Sequence, residues 1–320
     1  MLIFSCVFLA AGINAKILTR IQQNSLQHQF EAADTEEFFA ALSESGHIQF
    51  TGLGNEYKVA LQNIRKNLPN CLDESLEVEL DDGARRFTIA RDTDTDIRPF
   101  PSCVEEDIEI ITKYFDKVDK FVMGVLKQKF NSNLDISVQN QSYELEDLPT
   151  KSHLHLYAKD PAVAATEESN SSLSLPFHTD HGLYLLLTPS PLLQLLTINR
   201  EGAVAQIPGY DDSIILLLGT GLTSWLLPHH HLYSPPHAVP SITTHLTRTV
   251  FGRMKVAPLD ATNNNSGITF GQHFYSGLAD DDGDELHHAT NSDTLHHNRL
   301  RRQAEAGHAQ HWVGNKTVTE

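Results

Sequence analysis

Apolar positions along this chain follow two different periods, and the change comes near residue 150. Before it, apolar residues recur at three- and four-residue spacing, the signature of amphipathic helices. Glu36–Leu42 (EEFFAAL) predicts one such helix, closed by Gly46 and followed by a short strand over His47–Thr51. A second helix is expected from about Glu56 to Leu68. The longest runs from Val104 to Phe130, with Ile108, Ile111, Phe115, Val118, Val122 and Leu126 on one stripe. Between them, residues 73–102 are charged, with RRFTIA (Arg85–Ala90) as the strand inside. From about Ser152 short apolar runs separated by turn residues take over: His153–Tyr157, Gly182–Thr188, Leu192–Ile198, Ala203–Ile207, Ser213–Leu218, Leu222–Leu227 and Leu246–Val256. Regular short strands of this kind predict a sandwich or barrel. After about Leu278 the chain turns polar and acidic (DDDGDE and His pairs) and reads as a flexible extension. No repeat of solenoid or propeller length is present. The expected fold is mainly β with flanking helices. The expected segments are a leader over 1–15, a helical α+β region over 16–150 packing on the core, the β core over 151–278 and a tail over 279–320.

The first fifteen residues carry no charge and are apolar from Leu2 to Ala11. That run is too short to span a bilayer and matches the central region of a secretory signal, with Ala15 before a cut at Lys16. A buried first helix or strand is the alternative. Cleavage would remove Cys6 and leave Cys71 and Cys103, an even pair suited to one disulfide, or else two buried thiols. Asn140, Asn170, Asn264 and Asn315 head glycosylation triplets. Together these predict a secreted or endomembrane-lumen protein with no membrane span. The 320-residue chain holds 41 acidic against 24 basic residues, a formal net charge of −17. Such a surface repels phosphate backbones, so nucleic acid is not an expected partner.

The candidate chemistry begins at FHTDHG (Phe177–Gly182), read as the opening of the apolar strand LYLLLTP. Residues i and i+2 of a strand share a face, so His178 and Asp180 would project together as two-thirds of a facial triad for iron(II). The third ligand must come from a distant strand. His237 in SPPHAV, 59 residues downstream, is the candidate; His181, His229–His231 and His245 are rivals that read as loop histidines. Arg248 follows His237 by eleven residues. On an inward strand face its guanidinium needs an anionic partner, and its planar fork matches a carboxylate. A structural salt bridge would meet the same need. Strand alternation puts Arg253 out of phase with Arg248, pointing outward or toward an acidic element.

These segments, in this order, resemble the isopenicillin-N-synthase-like branch of the iron(II)/2-oxoglutarate dioxygenases. LHLYAKDP (Leu154–Pro161) is similar to that family's strand ending in Tyr and Pro, and HTDHG to its His-x-Asp motif. Leu192–Leu226 resembles the next stretch of strands and Gly turns, YSPPHAV the segment of the distal His, and Glu37–Leu53 the N-terminal helix and strand. The resemblance implies an eight-stranded double-stranded β-helix (jelly roll) with helices outside. It implies iron(II) held by His178, Asp180 and His237, and 2-oxoglutarate held by Arg248 with Tyr157 lining its pocket. It further implies dioxygen as oxidant and hydroxylation or desaturation of a small-molecule or peptide substrate.

Three positions depart from the family. Arg248 comes eleven rather than ten residues after the distal His, Val250 replaces a hydroxylated residue, and His155 stands where Asn is usual. Losing the hydroxyl removes a hydrogen bond to a charged acceptor, worth about 1.5–3 kcal/mol. These departures keep open a non-catalytic binding protein on the same scaffold. The His-rich stretches 229–231, 287–288 and 296–297 keep open a metal-binding protein of another kind.

Overall fold

The computed structural model describes residues 35–281, apart from 73–76, 81–83, 93–99, 131–133, 135, 139–140, 160–172, 191–194, 242–246 and 264–266. The leader, the asparagines of all four glycosylation triplets, His245 and the His pairs at 287–288 and 296–297 lie outside the described residues. Among the described residues no helix is long and apolar enough to cross a membrane.

The N-terminal half supplies α1 (Thr35–Glu44), β1 (His47–Thr51), α2 (Asn55–Asn67), β2 (Glu77–Glu79), β3 (Ala84–Asp92), α3 (Glu105–Phe130), β4 (Ile136–Val138) and β5 (Gln141–Tyr143). Gly46 turns α1 into β1 at φ +68°, and a Cβ there would meet the carbonyl oxygen of Tyr233 at 2.3 Å. Only glycine meets both demands cheaply. The stripe read from the sequence is the buried face of α3: Ile108, Ile111, Phe115, Val118, Val122 and Leu126 all lie inside. Acidic residues in its first turn and lysines in its last suit the helix dipole. Cys71, just after α2, and Cys103, just before α3, are joined by a disulfide with their Cα atoms 6.6 Å apart.

The core is eight strands wound between two sheets: β6 (Thr150–Lys159), β7 (Leu173–His178), β8 (Tyr184–Leu187), β9 (Leu195–Ile198), β10 (Val204–Ile207), β11 (Ser213–Leu218), β12 (His237–Pro240) and β13 (Arg248–Lys255). The large sheet has the order β1-β11-β8-β13-β6-β3-β2 and the small sheet β10-β9-β12-β7. The chain crosses from one sheet to the other at nearly every step, and its pairs are antiparallel. That winding is the double-stranded β-helix, widened on the large sheet by three strands from the N-terminal half. β14 (Thr262–Asn263) pairs β4 in a separate small sheet, and α4 (Phe270–Asp281) carries the described chain past Leu278.

Two local expectations are corrected. Leu222–Leu227 is not a strand: Gly221–Leu226 forms a π-helical turn, closed by the Leu227 N–H donating to the Leu222 carbonyl at 2.8 Å. A short apolar run does not separate strand from buried helix; here Leu222, Trp225 and Leu226 are buried at helical spacing. Conversely, LSLPFH, outside every expected strand, is strand β7. Among the described residues it is the edge of the small sheet and pairs only β12, where Pro176 costs no ladder bond.

Candidate metal centre

The large sheet sorts its side chains by parity. On β13, Thr249, Phe251, Arg253 and Lys255 face the helices, while Arg248, Val250 and Gly252 face the barrel interior. Phe251 stacks on Phe115 of α3 with ring centroids 5.4 Å apart, and Arg253 pairs Asp116 of the same helix at 2.5 Å. Val250 packs inside the barrel with Tyr157, Leu217 and Val239. The outward direction of Arg253 and the inward direction of Arg248 agree with the alternation read from the sequence.

The interior face forms three rows across β3, β6 and β13. Arg86, Tyr157 and Arg248 stand opposite one another in the first. Thr88, His155 and Val250 form the second; Ala90, His153 and Gly252 form the third. A Cβ on Gly252 would meet the His153 ring at 2.3 Å, so the missing side chain is the space that this imidazole occupies. His155 accepts or donates a 3.0 Å bond to Thr88 through Nδ1. Burial, reinforced by His153, Arg86 and Arg248, holds the His155 pKa well below the ordinary value. His153 is also lowered by burial, with Asp180 acting in the opposite sense.

The third row adjoins the cluster His178, Asp180 and His237, whose ligand atoms all lie within 4.8 Å of one another. The positions differ from the expectation in one respect. His178 ends β7 rather than opening β8, and Asp180 lies in the turn between them. Their convergence therefore comes from the turn, not from one strand face. His237 opens β12 directly opposite His178, and the two rings sit 4.4 Å apart. Each ring is held by Nδ1 against a backbone carbonyl two residues back, Pro176 at 2.9 Å and Pro235 at 3.2 Å. Nδ1–H donation leaves Nε2 with its lone pair free, the arrangement that orients metal-bound histidines. Burial pushes His237 down to about 4 despite the Asp180 carboxylate, so the 3.6 Å contact between them joins a neutral imidazole to a carboxylate. Asp180 Oδ2 is buried with no hydrogen-bond partner among the described residues. Two imidazoles held by Nδ1 and one carboxylate oxygen without a hydrogen-bond partner are a fitting donor set for a divalent iron.

Arg248 is only 4% exposed, and its Nε and Nη1 have no hydrogen-bond partner among the described residues. Its guanidinium carbon stands 5.8 Å from the centre of the Tyr157 ring. Burial lowers its pKa to about 10, which leaves it charged at neutral pH. A buried, charged and unpaired fork is expensive and fits a carboxylate ligand. The rival histidines go elsewhere. His181 contacts Thr220 at 3.3 Å, and His229–His231 line an open groove of about 440 Å³ with Glu36, Phe39 and Lys129 of α1 and α3.

Alternation from Arg248 puts Gly252 on the same face in the sequence, but Arg86 and His153 are not legible there as neighbours of this interior. Alternation within RRFT and LHLY carries the signal, but the parity of a strand is silent until one of its faces is known to be the interior.

No protein-family model and no curated protein sequence matches the chain. Solved structures do. The dioxygenase for auxin oxidation of rice is 15% identical, with a TM-score of 0.53 over 81% of this chain and 93% of that one. A full-length Neurospora crassa protein, solved in complex with alpha-KG, is 12% identical, with a TM-score of 0.56 over 77% and 90%. JOX2 in complex with 2OG, Fe and JA is 14% identical, with a TM-score of 0.52 over 75% and 84%. At these identities the likeness shows the fold: a jelly roll of the kind found in 2-oxoglutarate and iron oxygenases.

Proposed function

We propose that this protein is a non-haem iron(II), 2-oxoglutarate-dependent dioxygenase that hydroxylates or desaturates a small-molecule or peptide substrate. One observation carries the proposal above the fold itself. The His178–Asp180–His237 cluster and the unpaired, charged Arg248 open onto the same barrel interior, one suited to a divalent cation and the other to a carboxylate. Similar proteins solved with 2OG and Fe support the same pairing of ligands.

In this reading His178 and His237 offer Nε2 and Asp180 offers its buried oxygen to iron(II). Iron bound there with 2-oxoglutarate and dioxygen supplies an oxidant for a C–H bond while the oxo acid becomes succinate and carbon dioxide. Asp180 contributes the one negative charge of the protein's ligand set. Arg248 receives the distal carboxylate of the oxo acid and Tyr157 walls the same pocket. Val250 offers that carboxylate no hydrogen bond, so Arg248 carries more of the recognition alone. Leu185, Leu187, Leu217 and Val239 surround the space with apolar surface and keep water from it. The Cys71–Cys103 disulfide supports a secreted or endomembrane-lumen location, and the surplus of acid weighs against nucleic acid as a partner.

The test is an anaerobic titration of 2-oxoglutarate into the iron(II)-loaded protein, followed by the metal-to-ligand absorption band, with succinate measured after air is admitted. Appearance of both is expected. Iron binding without the band would favour a metal protein that uses no 2-oxoglutarate. No iron binding would favour a binding protein on the same scaffold.

A further inference from the structure

One charged group on the barrel interior has no task in the oxygenase reading. Arg86 stands on β3 opposite Tyr157, which stands opposite Arg248, so two arginines flank one tyrosine across three neighbouring strands. With strands about 4.8 Å apart, their Cα atoms are about 10 Å from each other. Arg86 Nε is buried without a hydrogen-bond partner, and among the described residues no carboxylate pairs with its guanidinium. The chain does supply partners to other cations on its packed surfaces: Arg65 has Asp211, Arg253 has Asp116 and Lys255 has Asp119. Two unpaired guanidinium groups in one row thus set this interior apart, in a protein that carries seventeen negative charges in excess.

Charge balance says what is missing. A divalent cation, Asp180 and one carboxylate of a 2-oxo diacid sum to zero. The second carboxylate of that diacid balances Arg248. Arg86 is left without a counter-anion, since its row neighbours Tyr157 and Arg248 and the nearby His155 supply no carboxylate. Its buried Nε is a donor that water does not reach and nothing among the described residues accepts from, so an anionic acceptor fits there when the pocket is filled. Arg86 is partly exposed whereas Arg248 is buried, which places Arg86 nearer to solvent and within reach of a ligand that enters the pocket. Its neighbours on the same face of β3, Ala84 and Thr88, carry small side chains. A guanidinium fork matches a planar carboxylate through two parallel hydrogen bonds.

We infer that Arg86 anchors a carboxylate of the primary substrate, so that the protein acts on organic acids. The inference rests on the oxygenase reading, since the charge balance presumes an occupied metal site and an occupied Arg248.

The test uses the full chain loaded with manganese(II), saturated with 2-oxoglutarate and held at constant ionic strength. Acetate serves as the smallest carboxylate probe and acetamide as its neutral twin, with melting temperature as the readout. Acetate is expected to raise the melting temperature and acetamide to leave it unchanged. Arg86→Gln should abolish the acetate effect while 2-oxoglutarate affinity stays within about threefold, and Arg86→Lys should restore part of it. Equal responses to acetate and acetamide in the wild type would overturn the inference. So would a tenfold or greater loss of 2-oxoglutarate affinity in Arg86→Gln, which would give both arginines to the co-substrate. Failure of the wild type to bind manganese or 2-oxoglutarate would sink the oxygenase reading, and this inference with it.

Discussion

On the outer face of the large sheet, Phe251 lies between Phe100 and Phe115, Arg253 meets Asp116, and Lys255 reaches Asp119 at 3.5 Å. On the inner face of the same strand, Arg248 has no carboxylate among the described residues and Gly252 has no side chain. Across the barrel Asp180 keeps a buried oxygen without a donor. The two faces share strands and differ only in residue parity. The helix-facing set, the buried Thr249 hydroxyl apart, obeys the rules of a protein core, apolar contact and paired charge. The interior set breaks them at Arg248 and Asp180, whose buried polar atoms lack partners among the described residues, while the His153 ring fills the place of a side chain at Gly252. A face finished by packing carries stability; a face left unfinished carries binding.

The contrast can be broken at several points. The largest effect is expected from Asp180→Ala, which should lower iron(II) affinity by roughly a hundredfold or more, since the only anionic donor is lost. Isothermal titration checks it. Single replacements of His229, His230 or His231 should leave affinity unchanged, and the opposite pattern would move the metal to the α1 groove. On the other face, Phe251→Ala should remove about 3–5 kcal/mol of stability in denaturant unfolding, with little change in metal affinity of the folded fraction. A strong metal effect there would mean the two faces are not independent.

Acid should act on the interior face. Burial lowers His237 to about 4, and lowers His153 and His155 as well, against about 6.5 in the unfolded chain. In that window the unfolded chain binds more protons than the folded one. Stability of the metal-free protein is therefore full above about pH 6.5 and falls as pH drops toward 4, by roughly tenfold in the folding constant per pH unit for each such group. Equilibrium unfolding between pH 4.5 and 7 should show a shallower slope for His155→Asn than for the wild type. An unchanged slope would remove His155 from the buried neutral set.

The smallest effect sharpens the comparison most. Arg253→Ala should change 2-oxoglutarate affinity hardly at all and stability by about 1 kcal/mol or less, as befits a pair whose acid is exposed. Its counterpart on the inner face, Arg248→Ala, should weaken 2-oxoglutarate by about 3 kcal/mol, the scale of a buried charge losing its partner. Equal weakening by the two in anaerobic titrations would contradict the parity seen in β13.

Much of this was legible without coordinates. The helix over α3 followed from six apolar residues at helical spacing, because amphipathic period is a local property of the chain. β1 and β11 came out at their observed bounds for the same reason. β7 did not, since Pro176 and a polar flank hide an edge strand that is stabilised only by β12. The Leu222–Leu227 run invites the wrong reading because apolar content alone does not choose between extended and helical backbone. Asp180 reaches the histidines by a route other than the expected one: sharing a strand face was expected, while a turn after β7 brings it there.

By itself the sequence determined the periods, the jelly-roll order of segments, the opposite directions of Arg248 and Arg253, and three residue types suited to a metal. Only the tertiary structure decided which parity faces the interior. It alone brought His237 opposite His178 and aligned Arg86, Tyr157 and Arg248 in one row. The reason is that strand register and sheet order join residues far apart in the chain through backbone hydrogen bonds, which carry almost no trace in side-chain identity. Charges left unpaired in such a row become visible only once the strands are side by side.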